Sequence, residues 1–232
     1  MSFLSCHRLD ATYGDFQALF GIDFHLDKGE TVAIIGSNGA GKSTFLRAIT
    51  GMIKVNNASV RFNDNDIGGL PAYEINRLGI SMVPEGRKLF PSLSIEENLL
   101  IGTQSGRKGP WNLKKIYQLF PILEERKNSP GMALSGGQQQ MVAIGRSLMS
   151  NPQVLLCDEI SLGLAPVIIK DIYDSFPEIK SHDMSIIVVE QDIRQAMKVA
   201  DRVICFQEGQ ISLQGKPDEL THEQISEAYF GV

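Results

Sequence analysis

The chain has 232 residues, of which 43% are apolar and 21% charged, and its net charge is −5 at neutral pH. That length fits a single α/β domain spanning residues 1–232, and the apolar content is sufficient for a globular core. The acidic balance argues against a general nucleic-acid-binding protein. No apolar run reaches the length of a membrane span and the first residues do not resemble a signal peptide, so we expect a cytoplasmic protein that contacts a membrane only through partners.

The cysteines and histidines show no pattern that would build a metal site or a disulfide. Cys6, Cys157 and Cys205 are far apart in the sequence, and each lies in an apolar run typical of a strand. The four histidines have no ligand spacing. We therefore expect buried, reduced thiols and no structural metal.

Two strand patterns begin the chain, at residues 5–13 and 21–26, where apolar and polar residues alternate. They predict an antiparallel β layer beside a main sheet. Tyr13 ends the first pattern shortly before a glycine-rich loop. An aromatic ring at that place either stacks on an adenine base or packs at the sheet edge, and the residues alone favour neither reading.

The glycine-rich loop lies between an apolar strand pattern at residues 31–35 and a helical pattern at 44–49. Its spacing, G-x-x-x-x-G-K-S, is that of a phosphate-binding loop. The glycines let backbone N–H groups approach phosphate oxygens, and the helix N-terminus adds partial positive charge. Lys42 would supply a full charge and the Ser43 hydroxyl would ligate Mg²⁺. The residues expected to contact a nucleotide here are Gly36, Ser37, Asn38, Gly39, Ala40, Gly41, Lys42, Ser43 and Thr44.

The next predicted elements are a strand at 58–62, a helix at 71–78 and a buried strand at 79–84. Glu85 follows the second of these strands. Ligands of parallel α/β sheets bind at the carboxyl ends of the strands, so a polar side chain at this point can reach the phosphates. We regard Glu85 as a candidate for the metal side of the site.

The segment from about residue 86 to 150 differs from the rest and predicts a helical subdomain inserted into the α/β domain. Ser94 and Glu97 have the spacing of a capping box, and a further helix is predicted at 141–149. Trp111 is interpreted as a packing or partner-surface residue rather than a stacking platform. An amphipathic helix is predicted from the spacing of Leu113, Ile116, Tyr117 and Phe120.

An apolar cluster, Phe90, Pro91 and Leu93, lies just past Glu85. It has two readings that the sequence leaves open. It forms either the core of the helical insertion or a docking surface that links the motion of a membrane partner to the nucleotide site.

An apolar run at residues 154–157 leads directly into Asp158 and Glu159. A buried central strand reads as a continuous apolar run, so both acids are expected at its carboxyl end. One carboxylate there would orient water bound to Mg²⁺, and the next would polarise an attacking water.

The closing elements are a helix at 167–180, a buried strand at 185–189 that ends before Gln191, and a hairpin over residues 202–213. Because strands alternate with helices along the chain, the sequence predicts an α/β fold with a mainly parallel sheet and right-handed crossovers.

The run Leu134-Ser135-Gly136-Gly137-Gln138 opens the helix before the Asp158-Glu159 strand. Together with the phosphate loop and the apolar-run-D-E, in this order, it resembles the ATP-binding cassette (ABC) ATPases over the whole chain. The resemblance implies a P-loop NTPase of ABC type, with a mainly parallel sheet flanked by helices, an antiparallel β layer and a helical subdomain. In that family two cassettes sandwich two ATP molecules head to tail.

The resemblance also implies roles for individual residues. Tyr13 would stack on adenine, Asp158 would lie on the Mg²⁺ side and Glu159 would be the catalytic base. Gln191 takes the place of a histidine that senses the γ-phosphate in most members, and Glu85 takes the place of a glutamine. The residues that would close on the ATP held by a partner cassette are Ser135, Gly136, Gly137 and Gln138.

Further motifs resemble the LivF-like ATP-binding subunits of bacterial branched-chain amino-acid importers. Ile160 departs from the proline that usually follows the catalytic glutamate, which could alter the rigidity of the next loop but removes no catalytic group. The segments that carry the resemblance are 83–87, 96–99, 138–141, 143–146, 149–152, 161–166 and 189–191.

The function implied is that of an ATP-hydrolysing importer subunit, using ATP and Mg²⁺ and lying peripherally on the inner face of the cell membrane. Its implied partners are two membrane permeases, a second cassette that is either non-identical or a second copy, and indirectly a periplasmic binding protein. Related importers of urea, amides or other amino acids are the first alternative. A soluble cassette ATPase of DNA repair or translation would need coiled-coil arms or a second cassette, and a non-hydrolysing module would lack Lys42 or Glu159. A kinase would leave the Ser135 motif unexplained.

Overall fold

The computed structural model of the protein describes residues 3–230. These residues form two compact units, one from residues 3–75 and 185–230 and the other from residues 76–184. No helix among the described residues is both long and apolar enough to cross a membrane.

The strands of the described residues follow the predicted ones closely, with shifts of a few residues at their ends. In chain order they are β1 (Leu4–Tyr13), β2 (Phe16–Leu26), β3 (Thr31–Ile35), β4 (Val60–Phe62), β5 (Asn65–Asp66), β6 (Ile80–Val83), β7 (Val154–Asp158), β8 (Ser185–Val189), β9 (Arg202–Gln207) and β10 (Gln210–Gly215).

The helices are more numerous than predicted. In chain order they are α1 (Lys42–Ile49), α2 (Ala72–Leu78), α3 (Ile95–Leu100), α4 (Leu113–Leu119), α5 (Pro121–Glu125), α6 (Gly136–Leu148), α7 (Pro166–Asp174), α8 (Phe176–Lys180), α9 (Ile193–Val199) and α10 (His222–Phe230).

A mainly parallel sheet forms the centre of the first unit. β3 pairs in parallel with β8 on one side and with β9 on the other, and β10 returns antiparallel along β9. Every residue of β3 and β8 is buried, as their continuous apolar sequence predicts. The register places Ile34 opposite Val189, so the chain leaves both strands at the same edge.

The predicted antiparallel layer is confirmed in this unit. β1 pairs antiparallel with β2 and with β4, and β5 extends the layer beyond β4. Phe45 of α1 joins this layer to the parallel sheet, because its ring contacts Phe24 of β2 at 5.0 Å and Phe206 of β9 at 5.3 Å between centroids. Aromatic pairs in such edge-on and tilted arrangements stabilise a core beyond their buried area. The phosphate-loop helix is thus fixed from both sides.

The second unit contains the parallel pair β6 and β7, in which Val83 lies opposite Cys157. Helices α3 to α6 all lie within residues 86–150. α6 packs closely on α3, since a Cβ at Gly145 would come within 2.8 Å of Leu99. A side chain at position 145 would require Leu99 to move.

Two sequence predictions need correction. The helix predicted over 167–180 is two helices, because the chain breaks at Ser175 and Pro177 lies in the first turn of α8. A proline inside a continuous helix would lose one hydrogen bond and clash with the preceding turn. Helices α9 and α10 are present where no helix was predicted.

The remaining fold-level predictions concern buried side chains. Trp111 is only 3% exposed and contacts His182 edge-on, so it is a packing residue. The three cysteines are reduced and buried, as predicted. Burial, with a smaller contribution from the charge of Asp23, raises the pKa of the Cys6 thiol far above its usual range.

Candidate nucleotide site

The phosphate loop leaves the carboxyl end of β3 and leads into α1, the strand–loop–helix order that the motif requires. Gly36 cannot be replaced without moving the backbone, because a Cβ there would lie 2.4 Å from the carbonyl oxygen of Phe206. Gly41 precedes α1 in a left-handed conformation, with φ 102°. Ala40 is anchored from outside the loop, because its carbonyl accepts the N–H of Gly209 at 3.0 Å.

Lys42 holds a positive charge inside the loop. Its side chain is buried, and Nζ donates to the carbonyls of Gly36 at 2.7 Å and Ser37 at 3.0 Å. The first N–H groups of α1, which begins at Lys42, have no intrahelical acceptor and carry the positive end of the helix dipole. A buried ammonium beside the N–H groups at the N-terminus of a helix makes a site suited to a phosphate anion.

The charge of Lys42 acts on the pKa of a neighbouring thiol, that of Cys205. Burial raises the pKa of Cys205, while a hydrogen bond with Ser212 and the charge of Lys42 act against that rise. Among the other predicted contact residues of the loop, Asn38 and Gly39 are exposed. The half-buried ones are Ser37, Ser43 and Thr44.

Tyr13 lies beside the first turn of α1 rather than in the core. Its side chain is 45% exposed, and its hydroxyl oxygen lies 3.5 Å from Thr44 Oγ1 and 3.5 Å from a guanidinium nitrogen of Arg47. The structure therefore brings the ring to the rim of the phosphate loop. An exposed ring held by its hydroxyl is available to stack on a flat base.

Gln191 leaves the sheet at the same edge as the phosphate loop. The register of β3 and β8 continues past their ends, because the N–H of Glu190 donates to the carbonyl of Ile34 at 3.1 Å. Asp192 then caps α9, accepting from the N–H of Arg194 at 2.9 Å. Gln191 is thus held between a strand and a helix cap, half-buried.

In the second unit, Asp158 and Glu159 lie at the carboxyl end of β7, as predicted. Asp158 is buried, and Glu159 adopts a left-handed backbone with φ 47°. A non-glycine residue in this conformation is strained, and such residues concentrate at functional sites. Ile160 is 1% exposed, so the departure from proline at this position places an apolar side chain in the core.

Glu85 follows β6 and is exposed. The next three residues, Gly86, Arg87 and Lys88, all have positive φ, at 72°, 65° and 46°. The backbone after Glu85 therefore turns sharply and is held in a strained conformation.

The Ser135 motif forms the N-terminus of α6, the 13-residue helix of the second unit. Ser135 and Gln138 make a capping box: the Gln138 N–H donates to Ser135 Oγ at 3.3 Å, and the Ser135 N–H donates to Gln138 Oε1 at 3.1 Å. Gly137 must lack a side chain, because a Cβ there would lie 2.4 Å from Ile168. With the Ser135 hydroxyl and the N–H of Gly136, the N-terminus of α6 is a second place suited to an anion.

Three polar residues of these elements were not identified as functional candidates from the sequence. Glu190 is buried next to Gln191, and its place at the end of an apolar run, like that of Asp158, was the available signal. Asn98 is fully buried in α3, and Arg146 reaches the strained segment after Glu85 from the last turn of α6. Among the described residues, no group of three or more His, Cys, Asp or Glu side chains is arranged to hold a metal.

Comparison with known proteins agrees with this geometry. The sequence profile of the family described as ABC transporter matches residues 19–161. The chain is 40% identical to the high-affinity branched-chain amino acid transport ATP-binding protein BraG of Pseudomonas aeruginosa, covering 98% of this chain and 99% of that protein. It is 30% identical to the probable branched-chain amino acid transport ATP-binding protein LivF of Archaeoglobus fulgidus, covering 97% of each.

Solved structures give the same result. A nucleotide-free ATP-binding cassette from an ABC transporter superposes with a TM-score of 0.81 at 29% identity, over 98% of this chain and 95% of that one. A dimeric cassette in a post-hydrolysis state, bound to ADP and phosphate, superposes with a TM-score of 0.80 at 25% identity, over 92% of this chain and 98% of that one.

The chain therefore belongs to the ABC transporter family and has the P-loop fold of its ATP-binding cassettes. It is a nucleotide-binding subunit of that family, and its activity is the hydrolysis of ATP for transport.

Proposed function

We propose that this protein powers a bacterial importer of branched-chain or similar amino acids, lying on the inner face of the cell membrane beneath two permeases. The observation that carries the proposal is the similarity to BraG over nearly the full length of both chains. The motifs at residues 83–87 and 161–166, with Glu85 and Gln191, support the same subunit type. Importers of urea, amides or other amino acids use similar cassettes and remain the alternative.

A second cassette is part of this proposal. The chain has two places suited to a phosphate, the loop around Lys42 and the N-terminus of α6 at Ser135. A related cassette is a dimer with ADP and phosphate. We therefore assign Ser135, Gly136, Gly137 and Gln138 to the ATP held by a partner cassette, which is either a non-identical subunit or a second copy.

Mg²⁺ is the proposed metal, with Ser43, Asp158 and Glu85 as its protein-side residues. When bound, the ion would neutralise charge on the phosphates of ATP. Hydroxyl and carboxylate oxygens suit this hard cation, which usually takes one or two carboxylates together with phosphates and water. Asp158, at the buried strand end, is the more rigidly placed of the two carboxylates, because Glu85 is exposed.

The catalytic roles fall to Glu159 and Gln191. The Glu159 carboxylate would accept a proton from the attacking water, and its strained backbone supports a fixed position. The Gln191 amide would donate a neutral hydrogen bond to the γ-phosphate oxygen. Tyr13 would stack on the adenine ring, for which its 45% exposed side chain is available.

The permeases are the proposed occupants of the surface at Phe90. Phe90 is 46% exposed and Pro91 is also exposed, so these two residues are not the core of the helical segment. Leu100, at the end of α3, is 40% exposed in the same unit. A periplasmic binding protein would act indirectly through the permeases, and nucleic acid is not a proposed partner.

The test is purification of the tagged protein from its own cells under mild detergent. We expect two permeases and a second, non-identical cassette to co-purify, and we expect the ATPase rate of the reconstituted complex to rise with amino-acid-loaded binding protein. Leucine uptake should be lost in a strain that carries only Lys42→Ala. Unchanged leucine uptake in that strain, or recovery of other permeases, would contradict the amino-acid assignment while leaving the ATPase activity intact.

A further inference from the structure

Two side chains clamp the strained segment that follows Glu85. The clamped segment, residues 86–93, contains the left-handed residues Arg87 and Lys88 and the exposed Phe90. A left-handed conformation costs a non-glycine residue about 1–2 kcal/mol, so two in succession persist only where other contacts hold them.

The first clamp is Arg146, in the last turn of α6. One guanidinium nitrogen donates to the carbonyl of Lys88 at 2.8 Å and the other to the carbonyl of Arg87 at 3.0 Å. The same guanidinium lies 5.7 Å from the centre of the Phe90 ring, a cation–π distance. Burial lowers the pKa of Arg146, which still remains charged at neutral pH, so these bonds are charge-assisted and partly shielded from water.

The second clamp is Asn98, which is fully buried in α3. Its Oδ1 accepts the N–H of Phe90 at 2.9 Å, and its Nδ2 donates to the carbonyl of Phe90 at 3.1 Å. Nδ2 also lies within hydrogen-bond distance of the carbonyls of Leu93, at 3.2 Å, and Ser94, at 2.9 Å. Both backbone groups of Phe90 are thereby fixed to α3.

The N-terminal end of α6 touches the same segment. A Cβ at Gly136 would lie 3.1 Å from a guanidinium nitrogen of Arg87. α6 thus meets the clamped segment near both of its ends, at Gly136 and at Arg146, and α6 is itself packed on α3 through Gly145. Interlocked elements of this kind shift as one body, because packed interiors transmit displacement rather than absorb it.

We propose that Arg146 and Asn98 are positioning residues that make the Phe90 surface, Glu85 and the Ser135 end of α6 move as one body, so that a permease pressing on Phe90 changes the rate of ATP hydrolysis. The inference deepens the proposed function and rests on it, because it takes the permeases as the partner at Phe90. The side-chain hydrogen bonds described for both residues go to backbone groups of residues 87–94.

The decisive variant is Arg146→Lys, which keeps the charge but cannot donate to two carbonyls in a planar fork. Arg126→Lys is the matched control, because Arg126 is exposed in the same unit. We expect both variants to keep ATP affinity and the ATPase rate of the free subunit. In the reconstituted transporter, Arg146→Lys should lose about tenfold of the permease-dependent stimulation, the equivalent of one charge-assisted hydrogen bond.

A second measurement tests, without transport, whether Arg146 holds the segment at residues 87–88 in place. Trypsin cleaves after Arg87 and Lys88, and mass spectrometry follows the release of the peptide that starts at Leu89. We expect faster cleavage there in Arg146→Lys than in Arg126→Lys, and cleavage of Arg126→Lys as slow as that of the wild type.

The outcomes distinguish failure of the proposed function from failure of the coupling through Arg146. A wild-type complex that shows no stimulation by permeases overturns the proposed function, and this inference with it. A stimulated wild type with equal stimulation of Arg146→Lys overturns the inference alone. Unchanged trypsin cleavage at Lys88 in Arg146→Lys would show that the fork does not hold the segment, which also overturns it.

Discussion

Lys42 is a charged side chain kept in the interior of the protein, 4% exposed. Burying an ammonium is costly unless it is paired and hydrogen-bonded, and its bonds to the Gly36 and Ser37 carbonyls offset part of that cost. A bound phosphate would add negative charge beside this ammonium. At the residue scale we therefore expect Lys42 to contribute most to the affinity for nucleotide, and other side chains to set the rate of turnover.

Glu159→Gln should separate binding from turnover. Because the amide cannot accept the proton of the attacking water, we expect the ATPase rate to fall by about 10²–10⁴-fold while the affinity for ATP is kept. Gel filtration with ATP should show an accumulated dimer. A variant that hydrolyses ATP at nearly the wild-type rate would remove Glu159 from the mechanism.

Gln191 should act on turnover more than on binding. Gln191→Ala removes the proposed hydrogen bond to the γ-phosphate, so we expect a lower kcat with little change in the affinity for ATP. Gln191→His should retain activity and gain a pH dependence near the ordinary histidine pKa, about 6.5, which the glutamine cannot have. Wild-type kinetics in Gln191→Ala would rule out the sensing role.

At the element scale, two helices of the second unit begin in the same way. α3 starts with a capping box between Ser94 and Glu97, and α6 starts with one between Ser135 and Gln138. The two caps satisfy equivalent N–H groups, and only the one at α6 is assigned a second role with ATP. The pair makes an internal control.

Ser94→Ala and Ser135→Ala should destabilise the protein alike and differ in activity. Each loses a cap worth about 0.5–2 kcal/mol, measured as the free energy of unfolding in urea. We expect Ser135→Ala alone to lower the ATPase rate of the assembled transporter, since its hydroxyl is proposed to contact the partner's ATP. Equal activities at equal stability would reduce Ser135 to a helix cap.

The elements that periodicity defines were predicted well, and those that local chemistry defines were not. β3, β7 and β8 are short, mostly apolar runs, which are typical of buried strands. The break between α7 and α8 was missed although Pro177 marks it, because the apolar spacing continues through it. α10 was missed because its nine residues carry only a weak apolar pattern.

The candidate site follows the same rule. The loop at Lys42 and the end of β7 were predicted because each motif adjoins an element with a clear pattern. The left-handed backbone of Glu159 and the fork of Arg146 were not predictable, since they depend on contacts distant in sequence. The helical insertion contains the largest part of what the sequence left open.

At the scale of the whole molecule, a bound nucleotide should stabilise the fold because it binds only the native chain. At a nucleotide concentration of about 100 Kd the gain is about 2.7 kcal/mol, which for a chain of this size raises Tm by about 5–11 °C. The measurement is a thermal scan with and without ATP, in EDTA and in Mg²⁺.

Lys42→Ala is the control for that scan. We expect its Tm to be insensitive to ATP, because the charge that holds the β- and γ-phosphates is gone. A large ATP-dependent shift in this variant would place the main affinity outside the phosphate loop. A shift in the wild type that is equal in EDTA and Mg²⁺ would show that the metal contributes to hydrolysis and not to affinity.

The left-handed backbone of Glu159 has an evolutionary consequence. Asparagine accepts that conformation more readily than glutamate does, so Glu159→Asn should relieve up to about 1 kcal/mol of backbone strain while abolishing ATPase activity. Under selection for stability alone, a lineage would drift away from glutamate at this position. Copies of the gene released from transport should therefore lose Glu159 early and remain well-folded proteins that bind ATP without consuming it.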